Sequence, residues 1–180
     1  RTIVLTDEGE LAFQEYFVRR RWQPRLRGVR FEGADEAQAT AAALAALDEA
    51  RVVVLCPSNP FVSVEPLLAV QPVRRRLLAL KQGGVPIVAV TPIIGGQALK
   101  GPAAKMFQEL GEEPSPMAVA RRYADFLSHF VLDVRDAEQA PAVGALGLEV
   151  VVTDTIMADQ AGRRRLAAEV LEGANTWLDR

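Results

Sequence analysis

Ser58, Asn59 and Ser63 lie within one stretch, residues 56–63 (CPSNPFVS), where they supply two hydroxyls and an amide beside the stiffening rings of Pro57 and Pro60. A short helix beginning over residues 62–68 would present free N–H groups that favour an anion such as phosphate. The equal alternative is an ordinary turn whose Ser and Asn side chains satisfy their own backbone. A second stretch, residues 91–101, begins at Thr91 and carries Gly95-Gly96 and then Lys100. The glycines allow a ligand to approach the backbone closely, and the lysine could neutralise a diphosphate. On residue chemistry alone the plainer reading wins: a flexible connection with Lys100 in solvent. A third stretch, residues 153–157 (TDTIM), holds Asp154. That carboxylate could bind a metal ion, accept a ribose hydroxyl, or cap the next helix, which is the commonest task for such a residue.

Other candidates are weaker. His129 is the only histidine and no cysteine or histidine cluster accompanies it, so a structural role is expected rather than a metal site. Cys56 is the only cysteine; it has no histidine near it in sequence to activate it. The arginine triplets at 19–21, 74–76 and 163–165 read as solvated helix faces rather than a nucleic-acid surface. Phe13, Tyr16, Phe17 and Trp22 cluster beside the first triplet. Aromatics at helical spacing usually mean core, although such a group could floor a pocket for a flat ring.

Positioning these stretches requires a scaffold, and the apolar runs suggest which. Residues 51–55 (RVVVL), 85–90 (VPIVAV), 130–134 and 149–152 read as short buried strands without alternation, separated by helical patterns. Such strands form a mostly parallel sheet covered on both faces. The expected fold is therefore α/β, a three-layer Rossmann-like arrangement with a small helical insert at residues 102–128 on one edge of the sheet. Ligands in such sheets bind outside the carboxyl ends of the strands, where all three stretches fall. Residues 2–5 and 26–31 read as further strands, and residues 10–20 as a helix. Asp35 is the expected cap of a helix reaching residue 47. A helix opened by Pro72 should stop at Gly83-Gly84, with others at 137–146 and 160–174.

Composition sets outer bounds. The chain has 180 residues, 49% hydrophobic and 24% charged, enough for one real core. A formal net charge of −2 provides no field to draw the protein to nucleic acid or anionic lipid. A single cysteine cannot form an internal disulfide, and no apolar run reaches the roughly 18 residues of a membrane helix. A soluble cytoplasmic protein is expected. The first strand is followed by TDEGE rather than a glycine-rich turn, so the native sequence is expected to begin before Arg1.

Four segments in order resemble one family: GELAFQEYFVRRR (residues 9–21), CPSNPFVSVEPLLAV (56–70), VAVTPIIGGQALKGPAAKM (88–106) and ALGLEVVVTDTIM (145–157). Together they resemble the 2-phospho-lactate transferases of coenzyme F-420 biosynthesis, also called phosphoenolpyruvyl transferases in some bacteria. This chain departs mildly, with Cys56 where glycine is usual and Thr91 where serine is common. The resemblance implies that residues 1–180 are the C-terminal part of one α/β transferase domain. It implies a guanosine diphosphate ester of lactate or enolpyruvate as donor, a deazaflavin acceptor, release of GMP, and magnesium as cofactor. The magnesium ligands and a glycine-rich nucleotide loop are expected in an N-terminal region, so that these 180 residues alone would be inactive. By the same analogy Ser58, Asn59 and Ser63 lie on the phosphate side, Gly95, Gly96 and Lys100 frame that site, and Thr91 is a further substrate-binding residue. Phe13, Tyr16 and Phe17 would help form the deazaflavin pocket. No catalytic residue and no metal ligand is assigned, and a homodimer is left open. The competing reading is a non-enzymatic nucleotide-sugar-binding regulator of the related gluconeogenesis-factor family; a generic Rossmann-like binding module is a third. The transferase reading requires that residues 58–63 and 95–100 converge on one diphosphate.

Overall fold

A computed structural model describes residues 1–178. The chain opens with a three-stranded antiparallel sheet, β1 (Thr2–Thr6), β2 (Gly9–Ala12) and β3 (Leu26–Phe31), in the order β2-β1-β3. The expected helix over residues 10–20 is therefore only half right. Gly9, at φ 112°, turns the chain back so that Ala12 lies opposite Ile3. Helical geometry is confined to a short turn, mainly Glu15–Arg19. Leu11 and Phe13 fit either period, and pairing with β1 decided between them.

A connection leads through α1 (Ala41–Asp48) to β4 (Val53–Leu55). Thr40, not Asp35, caps α1: its hydroxyl accepts the Ala43 N–H at 3.2 Å, while Asp35 sits in a turn further upstream. A helical turn (Pro60–Val64) and α2 (Glu65–Ala69) follow, then α3 (Val73–Gln82) and β5 (Ile87–Val90). Residues 91–101, expected as a loop, contain a small hairpin of β6 (Ile93–Ile94) and β7 (Gln97–Ala98). Beyond it come α4 (Ala103–Glu109), α5 (Pro116–Tyr123) and β8 (His129–Asp133). The helix expected at 137–146 is divided into a 3-10 turn (Val134–Gln139) and α6 (Ala140–Gly144), with Asp136 non-helical inside the turn. The described chain ends with β9 (Glu149–Thr153) and α7 (Gln160–Leu178).

Strands β4, β5, β8 and β9 form one parallel sheet in that spatial order. Helices on both faces make it the three-layer Rossmann-like α/β fold. Helices α4 and α5 lie in the crossover between the two central strands rather than at an edge. Side chains alternate across the pleat. Ile87, Ala89, Phe130 and Leu132 face one core with Leu77, Phe107, Tyr123 and Val143 from the crossover helices. Val88, Val90 and Val131 face the other way, against Leu166 and Val170 of α7. The antiparallel sheet is tied to α4: Glu109 accepts the Leu26 N–H at 2.8 Å, and Lys105 donates to the Pro24 carbonyl at 3.1 Å.

Candidate functional site

The carboxyl ends of β4, β5, β8 and β9 lie along one rim of the sheet, because the strands are parallel. A pocket of about 240 Å³ opens there. Its wall combines Pro57 and Asn59 after β4, Thr91 and Pro92 after β5, Lys100 after β7, Thr155 and Met157 after β9, and Arg163 from the first turn of α7. A wider groove of about 600 Å³ runs beside Phe31, Gln71 and Arg75. It lies away from the strand ends, so the smaller pocket is the better site on grounds of fold.

Each side chain in the pocket is placed by a local bond. Asn59 caps the helical turn that follows it, its Oδ1 accepting the Phe61 N–H at 3.0 Å and its Nδ2 lying 3.3 Å from the Met106 sulfur. Asn59 is thus a cap, as the turn reading expects, and it also borders the pocket. Thr91 is buried, and its hydroxyl is bonded within its own turn, accepting from the Ile93 N–H at 3.1 Å. Its wall contribution is shape rather than an available donor.

Two carboxylates behind the pocket hold the loops in register. Asp133 is almost completely buried at the end of β8. One oxygen accepts the Thr155 N–H at 2.8 Å and the Thr155 hydroxyl at 2.9 Å, and the other accepts the Arg135 N–H at 3.1 Å. Burial pushes the Asp133 carboxyl up, but these bonds to its ionised form outweigh it and hold the group below the usual carboxylate range. Asp136 accepts the Gly95 N–H at 2.9 Å, and here burial dominates and raises the carboxyl above its usual range against that bond. Thr155 therefore reaches the pocket wall on a leash from β8.

The other expected site residues are distributed differently. Gly95 and Gly96, at φ 56° and 74°, form the tip of the β6–β7 hairpin. Positive φ at both positions is what such a tight turn requires. They do not line the pocket; neither do Ser58 and the exposed Ser63. Phe13, Tyr16 and Phe17 are also absent from the wall. Phe17 packs between Phe13 and Trp22, with centroids 5.3 Å from each. Tyr16 is wholly buried, which pushes its hydroxyl up to about 12, so it offers no surface to a flat ring. Asp154 does not cap α7: it accepts the Ile156 N–H at 2.9 Å and pairs with Arg165 at 3.0 Å, while Asp159 receives the Gly162 N–H at 2.7 Å.

Arg163, read from sequence as part of a solvated face, is exposed and also borders the pocket. Arg165 is held by Asp154 and Glu169, whereas Arg163 lines the pocket and has no acidic partner among the described residues. Asp133 and Asp136 were missed. The signal for Asp133 was available, since it stands at the carboxyl end of a buried strand, where a fourth loop should join the other three.

The pocket lining holds two cations, Lys100 and Arg163, and no carboxylate or histidine among the described residues. It suits an anion. No carboxylate of the described lining is offered to a magnesium ion, and no group of three or more His, Cys, Asp or Glu side chains able to hold a metal occurs among the described residues.

Residues 1–171 match the family described as 2-phospho-L-lactate transferase CofD. The chain belongs to that family. It is similar to the 2-phospho-L-lactate transferases of Methanopyrus kandleri (41% identical over 173 residues, covering 94% of this chain and 53% of the relative) and Methanosarcina mazei (36% over 171 residues, 95% and 55%). It is also similar to the phosphoenolpyruvate transferase of Mycobacterium avium (35% over 175 residues, 94% and 51%). The chain thus spans about half the length of the curated relatives it matches. No helix among the described residues is long and apolar enough to cross a membrane.

Proposed function

We propose that this chain supplies the anion-holding part of a transferase of coenzyme F-420 biosynthesis. The reaction moves a phospho-lactyl or phospho-enolpyruvyl group from a guanosine diphosphate ester to a hydroxyl of a deazaflavin acceptor. The acceptor oxygen attacks the phosphorus that carries the three-carbon acid, the bond to the GMP phosphate breaks, and GMP leaves with the electron pair. A diphosphate donor needs cationic groups on its oxygens and a rigid frame that keeps the acceptor in line.

The observation that carries this reading is the pocket at the strand ends, with Lys100 and Arg163 on its wall and no carboxylate among its described lining residues. Pro57 and Asn59 stiffen one wall, and the Asp133–Thr155 bond fixes another. The role proposed for these residues is binding and positioning.

Binding by the protein at the family's full length tests the reading. It should take up the deazaflavin acceptor and GMP or GDP, and discriminate against a uridine nucleotide sugar. Lys100→Gln and Arg163→Gln should each weaken nucleotide binding by about 5–50-fold, the loss of one charge-assisted contact of roughly 1–2.3 kcal/mol. A preference for the uridine sugar would transfer the chain to the regulator reading. Unchanged nucleotide affinity in both variants would remove this pocket from the reaction.

A further inference from the structure

Arg122 lies near the end of α5, with 22% of its side chain exposed, and its guanidinium joins several parts of the chain. One terminal nitrogen donates to Glu65 at the start of α2 at 2.6 Å, and the other donates to Glu112 in the loop between α4 and α5. The flat group stacks over the Phe61 ring, 4.2 Å from its centroid, and lies 5.4 Å from the centroid of Phe107. Its Nε is buried without a partner among the described residues. An orphaned N–H is costly, and a buried ion pair is weak evidence of stability, since apolar side chains of similar volume often serve a core as well. What the arrangement secures is orientation, because arginine combines a planar two-armed fork with a face that stacks.

The parts that Arg122 holds are those that orient Asn59. Asn59 Oδ1 accepts the Phe61 N–H at 3.0 Å, and its Nδ2 lies 3.3 Å from the sulfur of Met106, the residue before Phe107. The Asn59 carbonyl also accepts from the Ser63 and Val64 N–H groups, so the whole turn hangs from this residue. Because Oδ1 is committed to a backbone donor, the two ends of the amide cannot change places. One amide hydrogen is taken by the sulfur, a weak acceptor, and the other has no partner among the described residues. Asn59 borders the pocket that also holds Lys100 and Arg163, which makes that hydrogen a neutral donor for an anion's oxygen. Arg122 is not itself in the described wall.

We infer that Arg122 is a positioning residue for the anion pocket: by clamping the Phe61 turn against α4 it fixes the direction in which Asn59 offers its amide N–H to a phosphate oxygen. The inference rests on the proposed binding of a diphosphate at this pocket. Direction matters because a hydrogen bond weakens steeply once donor and acceptor leave their line. Lysine at position 122 would keep the charge but lose both the fork that spans Glu65 and Glu112 and the flat face over Phe61. The turn, and Asn59 with it, would then be free to tilt. Lys100 after β7 and Arg163 in α7 stand on other elements and would keep their places.

Affinity for GDP, measured by calorimetry on a polypeptide carrying these residues at the family's full length, tests the link. Arg122→Lys should weaken binding by the folded protein about 3–10-fold, the effect of one misaligned hydrogen bond. Asn59→Ser, which keeps a capping oxygen but removes the amide, should cause a loss of similar size. The combination decides. Arg122→Lys with Asn59→Ser should bind no more weakly than Asn59→Ser alone, whereas with Arg163→Gln its loss should multiply. A residue that only stabilised the fold would lower the melting temperature and leave the GDP affinity of the folded protein unchanged, and that result overturns the inference. So does a multiplying of the Arg122→Lys and Asn59→Ser losses. Should Arg122→Lys fail to fold, Glu112→Gln replaces it: Glu112 is 41% exposed, and freeing one arm of the fork should give a smaller loss with the same dependence on Asn59. A loss in Arg163→Gln without one in Asn59→Ser overturns this inference alone, and no loss in either overturns the diphosphate reading with it.

Discussion

The two faces of the parallel sheet are built from the same strands yet differ in thickness. On the crossover face, Phe107 is wholly buried and meets the Phe61 ring edge-on at 4.7 Å, within a core that continues through α3 to α6. On the other face, Leu166 and Val170 of α7 bury Val88, Val90 and Val131, with only the partly buried Val52, Val151 and Trp177 packed beside them. Alternation along the strand gives both faces apolar residues, but only the order of the crossovers says how many helices each receives. A sheet can thus be equally hydrophobic on both sides and unequally covered.

Two substitutions test that contrast directly, and three more probe the loops beside it. Phe107→Ala should cost the most, about 3–5 kcal/mol in denaturant unfolding, because the cavity lies where several helices converge and cannot collapse. Leu166→Ala should cost about 2–3 kcal/mol, the low end of such truncations, since the thin face borders an open groove and can relax. If the two losses proved equal, the faces would not differ energetically and the comparison would fail.

Asp133→Asn acts at the seam, where the end of β8 holds the Thr155 loop, and should cost about 1–3 kcal/mol at pH 7. The folded-state value of Asp133 is depressed. Its stabilisation is therefore complete above the ordinary carboxylate value of about 3.9 and is lost as pH falls from there through the folded value. The gap in melting temperature between wild type and Asp133→Asn should close in that acid window. Asp136, whose value is raised, carries the opposite sign, so Asp136→Asn should cost less at pH 7. Gly96→Ala should cost roughly 1–2 kcal/mol, from the left-handed backbone at φ 74° alone. Its added Cβ would come only to 3.7 Å from the Pro114 carbonyl, an ordinary contact. A loss as large as that of Phe107→Ala would mean that the hairpin tip is packed rather than merely turned.

Much of this was legible in the chain. The runs RVVVL, VPIVAV and EVVV became β4, β5 and β9, since continuous apolar stretches between helices have few other uses. Pro72 and Gly83 bounded α3 as their backbone limits require. Residues 58–63 and 95–100 were expected to converge; of them Asn59 and Lys100 line one pocket, whereas Ser58, Ser63, Gly95 and Gly96 do not. The glycine pair was placed in the right neighbourhood but serves a hairpin turn. Residues 10–20 failed because two periods fit the same apolar positions. The aromatic cluster shows a similar gap: spacing brought Phe13, Tyr16 and Phe17 together, but could not say that Tyr16 would be sealed away from any ligand.

What the sequence by itself determined is therefore local and repetitive: where strands and helices run, which positions are apolar, and which stretches fall at strand ends. Those follow from backbone preference and side-chain periodicity within a few residues of each position. Tertiary structure alone decided that Arg163, rather than Arg165, lines the same pocket as Lys100, that Asp133 holds Thr155, and that one face of the sheet carries a single helix. These depend on contacts between residues far apart in the chain. Such contacts arise only when the crossovers have chosen a direction, and no local pattern records that choice.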